Sequence, residues 1–482
     1  MEPIRTAPRH RSSATGSPAT PSSAGSPRIV IIGAGPTGLA AGYRLRELGY
    51  TNFVILEARG KVGGLASSET SPNGFIYDIG GHVLFSHYEY FDRLFDTLLG
   101  DEYQLLLRES WVWMCDRFLP YPFQNNIKYL PKEIVLECLM GLIEAQRQPL
   151  DMSRFANFEE LIYGVFGKGI AKHFMMPYNF KVWAHPPKMM NKEWIGERVS
   201  VVDIARVLGN VVLDRDDAGW GPNSTFKYPR HGGTGGLFDR MRPYVQDNLR
   251  LEAAVAGVDV ERKEVLLKDG TRESYDYLLN TTPMDLLVKS ISGEVPEEVK
   301  CQASRLRHSG SYIVGVGLKQ PAPSEKCWMY FPEDNAPFYR VTYLSNYSPE
   351  VVPDASQYYS LLAEISHSEF KPVDRNTVVE DTIQGMVNTQ LLKESDRKDI
   401  VDAFLIERDY TYPTPSTERD QALKTVHPWL ESRDIYSRGR FGAWRYEVGN
   451  MDHSVAQGVE WVNRIVQDDR ENELTYLAKR GC

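Results

Sequence analysis

The amino-acid sequence predicts a mixed α/β fold: a parallel-sheet domain interrupted by a helical bundle and joined to an antiparallel sheet. Three observations carry this. An apolar run at 28–33 is followed by a glycine-rich turn, a helical stretch and a second apolar run at 52–57. Apolar residues recur at three- and four-residue spacing through much of 131–208. β-rich runs at 312–318, 338–344, 358–365 and 403–410 enclose one helical segment at about 375–393.

The 482 residues are 42% hydrophobic and 25% charged, the balance of a large globular chain. A net charge of −9, with no Lys/Arg-rich run, argues against nucleic-acid binding. No apolar run reaches the roughly 18 residues of a membrane span, so no membrane partner is expected. The five cysteines are scattered at 115, 138, 301, 327 and 482 without CxxC spacing. That argues against a disulfide framework or a metal site and for a reducing, cytoplasmic setting. Residues 1–26 are rich in Ser, Pro, Ala and Thr and lack the apolar core of a signal peptide. Their prolines break any amphipathic helix, so a disordered tail is expected.

In chain order the expected organisation is a tail (1–26), a first nucleotide-domain part (27–105) and strands joining the second sheet (106–124). A helical bundle (125–212), a second nucleotide-domain part (213–295) and an antiparallel substrate sheet (296–430) follow. A third nucleotide-domain part (431–470) and a short tail (471–482) complete it. Residues 86–105 read as helical and 109–123 as aromatic and β-like. Residues 249–260, 264–268 and 275–279 read as three strands, with a Lys268–Asp269–Gly270 turn between the last two.

The first apolar run leads into GAGPTG, with Gly33, Gly35 and Gly38. A lone GxGxxG is weak, but here it follows a strand and opens a helix, the context of a Rossmann dinucleotide site. Gly33 permits the tight turn, Gly35 lets backbone N–H groups approach a pyrophosphate, and Gly38 allows close helix–strand packing. The helix N-terminus then faces the phosphates with its dipole and free N–H groups. Glu57 ends the second strand, where a carboxylate meets ribose hydroxyls.

Past Glu57 and Ala58 come Arg59 and a second glycine pair, Gly63 and Gly64, then Leu65. Gly80, Gly81 and His82 follow, a GGTGG turn spans 232–236, and the segment 439–454 precedes a last helix at 452–469. Together these resemble the large FAD family of amine oxidases, phytoene desaturases and their relatives. The resemblance implies FAD as cofactor, held by Gly33, Gly35, Thr37, Gly38, Glu57, Ala58, Arg59, Gly63, Gly64, Leu65, Gly80, Gly81, His82, Val255, Arg440, Asn450, Met451 and Ser454. No second strand–GxGxxG–helix unit exists, so a nicotinamide would have to bind transiently.

Three function classes fit such a scaffold: an amine- or alkene-oxidising flavoenzyme, a non-redox flavin enzyme acting on an anionic substrate, and a flavin-containing binding protein. An oxidase of apolar or amine substrates calls for an apolar, aromatic cage. Arg198, Arg340, Tyr347, Tyr412 and Tyr446 have instead the chemistry to share a diphosphate's charge. Any one of them alone is more often a surface ion pair or a packed tyrosine, and spacing does not make them converge.

Longer motifs separate the classes. PYPFQN (120–125), PYNFKVWA (177–184), GER (196–198), GWGPN (219–223), CWMYFPE (327–333), YPTP (412–415) and RFGAWRYEVGN (440–450) are similar to those of UDP-galactopyranose mutases, in their longer eukaryotic form. The resemblance spans about 28–469. It implies an isomerase that interconverts UDP-galactopyranose and UDP-galactofuranose. Reduced FAD would act through N5 as nucleophile on the anomeric carbon, UDP would be the leaving group, and NADPH would be the transient reductant. It implies uracil against Phe123 beside Tyr121 and Gln124, with Asn179 and Trp183 holding the uridine. The diphosphate would meet Arg198, Arg340, Tyr330, Tyr347, Tyr412 and Tyr446, and Asn223 would close over the sugar. His82 and Phe85 would lie by the isoalloxazine, with the Gly81 carbonyl facing N5–H. Arg198, Arg340 and His82 carry the catalytic expectation. The alternative on the same scaffold is an FAD-dependent amine or polyene oxidoreductase.

Overall fold

The computed structural model describes residues 25–147, 149–195, 202–217 and 224–473. Arg198, Asn223 and the terminal segments 1–24 and 474–482 lie outside the described residues. The mixed α/β class is borne out. A five-stranded parallel sheet runs, in spatial order, Ile435–Ser437, Tyr277–Asn280, Ile29–Ile32, Phe53–Leu56 and Leu249–Arg250. Its central strand is buried at every position, as expected of a parallel strand covered on both faces. Alternation sorts its side chains into two cores. Ile29 and Ile31 meet Leu39, Ala41, Leu45, Val455 and Val459, from the helices Pro36–Glu47 and Met451–Gln467. Val30 and Ile32 face the other way, toward Leu287, Leu423 and Val426.

The second sheet has seven strands, in the order Ile400–Pro413, His308–Leu318, Tyr359–His367, Arg340–Tyr343, Trp328–Tyr330, Ser110–Met114 and Arg117–Pro120. It is antiparallel except where Trp328–Tyr330 runs alongside Ser110–Met114. Opposite its middle, Gly315 and Gly317 leave room for the rings of Tyr77 and Phe75; a Cβ at either would lie 2.4 or 2.6 Å from a ring carbon. The chain between the sheets is helical: Lys132–Ala145, Phe158–Ile170, Met176–Trp183 and Ile204–Val212. The first two of these touch backbone to backbone, where Gly141 meets Gly167 and Gly169.

Two local expectations are corrected. The helical reading of 86–105 holds only for Glu89–Leu99, because Gly100 turns the chain at φ +54°. Tyr103–Leu107 then pairs antiparallel with Thr225–Pro229. The run 249–260 also divides. Leu249–Arg250 joins the parallel sheet, whereas Val255–Asp259 belongs to a separate four-stranded sheet. Among the described residues no helix is long and apolar enough to cross a membrane, and Cys115, Cys138, Cys301 and Cys327 are all free thiols.

Candidate active site

The glycine-rich turn forms as its spacing requires. Gly33 sits at φ +99°, and a Cβ there would lie 2.4 Å from Thr281 Oγ1. At Gly38 a Cβ would lie 1.9 Å from the Gly33 carbonyl oxygen, so only glycine lets the helix start this close to the strand. The second glycine pair packs on the first turn: Gly63 N–H donates to Ala34 O at 2.8 Å, and a Cβ at Gly64 would lie 3.1 Å from Gly35 Cα. Two side-chain-free turns thus meet at one helix N-terminus, a cradle that fits a pyrophosphate. Thr37 is buried inside the helix start. The Glu57 carboxylate, 7% exposed, accepts the N–H of Ala34 at 2.7 Å and of Arg59 at 2.9 Å. Each oxygen retains a lone pair for a hydroxyl donor. The Arg59 guanidinium turns from Glu57 toward Gly64 O, Ser67 Oγ and Glu69. Ala58 is exposed, Leu65 is partly buried, and Val255 lies just past the Ala253 N–H that bonds Glu57 O.

The helix Met451–Gln467 is locked to this cradle. Gly458 passes so near the first helix that a Cβ would lie 2.3 Å from Thr37 O. Asn450 is its N-cap, Met451 opens its first turn, and Ser454 N–H bonds Asn450 O at 2.9 Å. Arg440 reaches from the preceding loop, donating to Thr411 O (2.9 Å) and Gly449 O (3.1 Å), with its guanidinium over Tyr412 and Tyr446.

At the other end, Gly80, Gly81 and His82 run against the antiparallel sheet. Gly81 N–H donates to Glu364 Oε1 at 3.0 Å. Glu364, 3% exposed, also accepts Tyr339 OH (2.8 Å) and a two-point contact from Arg340, Nε at 2.5 Å and Nη2 at 2.8 Å. Burial opposes the charge on Glu364, but Arg340 outweighs it and holds the carboxyl below its ordinary pKa. Burial likewise opposes the Arg340 charge, and Glu364 reverses that, keeping the guanidinium protonated. Burial is also the largest influence on His82, holding it below the ordinary imidazole value against the pull of Asp78 and Glu364. Two buried polar atoms around Gly81, His82 Nδ1 and Thr342 Oγ1, have no hydrogen-bond partner among the described residues. Buried orphans of this kind mark where a polar ligand completes a site. With the cradle, they make the residues present a fit for an extended dinucleotide such as FAD.

Aromatic residues wall the space beyond. Trp183 meets Tyr446 (4.7 Å), Trp194 (5.0 Å) and Tyr412 (5.7 Å between ring centroids). Tyr121 and Tyr178 lie 5.1 and 5.4 Å from Tyr330, whose hydroxyl accepts Trp328 Nε1–H at 2.8 Å. Phe123 is wholly buried and stacks on Phe174 at 4.4 Å, and Gln124 is buried beside it. Asn179 Nδ2 is turned back onto Met175 O. Tyr347 packs against Phe226 and Tyr228, in the same cluster as Trp328 and Tyr330 and within electrostatic reach of Arg340. Sequence reading missed three members of this site: Glu364, Tyr339, and Arg108, which lies over Trp328 at 5.0 Å and Phe85 at 5.9 Å. Glu364 had a signal, the single carboxylate in a run read as a strand and otherwise without acidic or basic charge.

Comparisons with known proteins bear on the fold and the family. Residues 31–98 match the model of the NAD(P)-binding Rossmann-like domain. Curated relatives match in part only. Polyamine oxidase 7 of Oryza sativa subsp. japonica is 55% identical over 40 residues, 8% of each chain. Protoporphyrinogen oxidase 2 of Arabidopsis thaliana is 38% identical over 115 residues, 24% of this chain and 22% of that protein. The match thus spans less than a quarter of either relative. Among solved structures, reduced UDP-galactopyranose mutase superposes with a TM-score of 0.89 at 42% identity, covering 95% of this chain and 97% of that one. A putative protoporphyrinogen oxidase from Exiguobacterium sp. 255-15 follows at TM-score 0.68 and 17% identity, covering 92% and 100%, a likeness of fold alone. Fold and cradle define a flavoprotein with an FAD-binding Rossmann domain of the amine-oxidase type. Within that class, the near full-length match is decisive: the chain belongs to the UDP-galactopyranose mutase family, and it is an enzyme.

Proposed function

We propose that the protein interconverts UDP-galactopyranose and UDP-galactofuranose on reduced FAD. One observation carries the reading: Arg340, fixed by Glu364 beside Gly81 and His82, lies among the tyrosine hydroxyls of Tyr339 and Tyr412. When bound and reduced, FAD supplies the N5 nucleophile for the anomeric carbon, and UDP is the leaving group. The protein's own work is to keep a detached UDP in place and to stabilise the charge that develops on its phosphate. Glu364 takes Arg340 Nε and Nη2, so the guanidinium is oriented and Nη1 remains for a phosphate oxygen. Because Arg340 and Glu364 together are neutral, net attraction for a dianion comes from Arg108, beside Tyr330, and Arg440, over Tyr412 and Tyr446; Arg198 joins them only as the family resemblance implies. Tyr412 bonds Tyr339 at 3.2 Å, and Tyr339 bonds Glu364, so the hydroxyls are aligned before a ligand arrives. Burial raises the pKa of Tyr412 and Tyr339, keeping both as neutral donors. His82, held neutral, adds no charge beside the reacting sugar.

NADPH is the reductant in this reading, bound transiently, and the cytoplasm, suited to free thiols, is the setting. An amine or polyene oxidoreductase would need an apolar cage, which the Arg340–Glu364–His82 group does not supply. The test is to incubate dithionite-reduced protein with UDP-galactofuranose and separate the nucleotides by chromatography. UDP-galactopyranose should accumulate with no net consumption of reductant. Failure to convert, with the flavin demonstrably reduced, would overturn the assignment.

A further inference from the structure

Beside the residues assigned to the cofactor, the loop 86–88 meets the first turn of the helix Met451–Gln467. His87 Nδ1 lies 2.7 Å from Asp452 Oδ2, and His453 Nδ1 lies 3.0 Å from Asp452 Oδ1. The three donor atoms fall within 4.8 Å of one another, and the imidazole rings are 5.2 Å apart. Neither the glycine motifs nor the sugar-nucleotide residues use this group.

We propose that His87, Asp452 and His453 form a binding site for a divalent transition-metal ion of the zinc class. Two imidazoles and one carboxylate are a donor set that such ions favour, whereas calcium and magnesium prefer oxygen-only shells. The geometry is nearly assembled. Both rings already present Nδ1 to the same carboxylate. Tetrahedral zinc, with bonds of about 2.0–2.2 Å, needs His87 to move inward. That residue has the freedom to do so, since its side chain is 61% exposed while Asp452 is 2% exposed and His453 14%. Exposure of His87 also gives an entry path and leaves room for water as the remaining ligand. The carboxylate is anchored, since His87 N–H donates to Asp452 Oδ2 at 3.1 Å. A bare helix N-terminus repels cations; the Asp452 carboxylate within its first turn reverses that sign locally. In the unbound arrangement each ring donates Nδ1–H to the Asp452 carboxylate; on binding, that proton shifts to Nε2 and Nδ1 turns to the metal, so a neutral ring changes tautomer without losing a proton. The simpler arrangement is a histidine–aspartate–histidine hydrogen-bond triad that binds nothing, and the two differ in measurable ways.

The loop lies five residues past His82, and the helix carries Asn450, Met451 and Ser454. A bound ion would therefore cross-link the two segments that flank one end of the cradle. The test uses the full-length flavoprotein, stripped with chelator and titrated with zinc chloride by calorimetry, with cobalt(II) absorption as a second readout. One ion per chain is expected, with His87→Ala and His453→Ala each weakening binding at least tenfold and abolishing the cobalt bands. Cobalt bands in the parent that His87→Gln also removes would exclude a folding artefact, since His87 is at the surface. Equal affinity in the parent and both alanine variants, or no stoichiometric binding up to millimolar zinc, would overturn the site. Neither outcome depends on the reaction assigned above.

Discussion

Arg340 and Glu364 face each other in register across two antiparallel strands, and the guanidinium bonds both oxygens of a carboxylate that is 3% exposed. Removing one partner of such a pair strands the other charge in a buried place, at a cost of about 3–5 kcal/mol, whereas replacing both with apolar groups is close to neutral. Arg340→Ala is therefore expected to lower thermal stability and to reduce turnover about 100-fold or more, the scale of losing one oriented donor to a developing charge. The double variant Arg340→Met/Glu364→Met should regain part of the stability, since it removes the stranded charge but leaves Gly81 N–H and Tyr339 OH without their acceptor, and none of the activity. Flavin absorbance and the melting curve, measured beside turnover, separate the two effects. Near-normal turnover by Arg340→Ala with flavin bound would remove Arg340 from the site.

Gly458 is where the last helix crosses the first, and the Cβ of an alanine there would lie 2.3 Å from Thr37 O and 3.1 Å from Ala41 N. Both are backbone atoms at the start of the helix that would face the pyrophosphate, so relief comes only by separating the helices. Gly458→Ala is expected to cost about 1–3 kcal/mol of stability, the range for overpacking, and to purify with less than stoichiometric flavin. Gly49→Ala, at a position with open space around it, tests backbone strain alone and should retain its flavin. Full flavin occupancy in Gly458→Ala would show that the crossing does not position the cradle.

These positions also indicate what was legible beforehand. The strand, glycine turn and helix at 29–47 were readable because each glycine answers a local steric demand that the spacing exposes. The strands between 308 and 413 were readable from runs rich in β-branched and aromatic residues. The end of the helix at Leu99 was not, because the pattern through Leu105 and Leu107 suits either period and the outcome is set by pairing with Thr225–Pro229, over 100 residues away. The convergence of Arg340 with Gly81 was likewise hidden: it depends on a register between strands and on Glu364, which has no motif. Arg108, at the end of an ordinary apolar run, offered no sequence signal at all.

Arg108 supplies the next prediction. It packs over Trp328 and Phe85, and burial lowers its pKa while Tyr330 and Tyr121 pull the other way. A half-buried guanidinium beside the tyrosines around Tyr330 has the chemistry to meet a phosphate or the uridine ribose. Hydrogen bonds to charged groups contribute about 1.5–3 kcal/mol, so Arg108→Ala should weaken UDP binding about tenfold or more, read by fluorescence titration. Flavin content should not change. Unaltered UDP affinity would assign Arg108 to packing alone.

Lys181 gives a pH signature. It is 4% exposed on the helix that carries Asn179 and Trp183, and its ammonium donates to Glu333 O (2.8 Å) and Ala336 O (2.9 Å), in the loop leading to Arg340. Burial is the main cause that pushes its pKa down to about 7, with Lys371 adding to it. A lysine whose pKa is lower in the folded state than in the unfolded chain makes the unfolded state bind more protons between those two values, so stability rises with pH across that window. Between pH 7 and about 10, the parent should therefore gain on Lys181→Met by roughly 1 kcal/mol per pH unit. Below pH 7 the two curves should run parallel, because Lys181 is then protonated in both states. Urea unfolding at pH 6, 7.5 and 9 reads this difference directly. A constant gap across all three would mean that Lys181 stays charged in the fold and that its carbonyl contacts alone hold the loop.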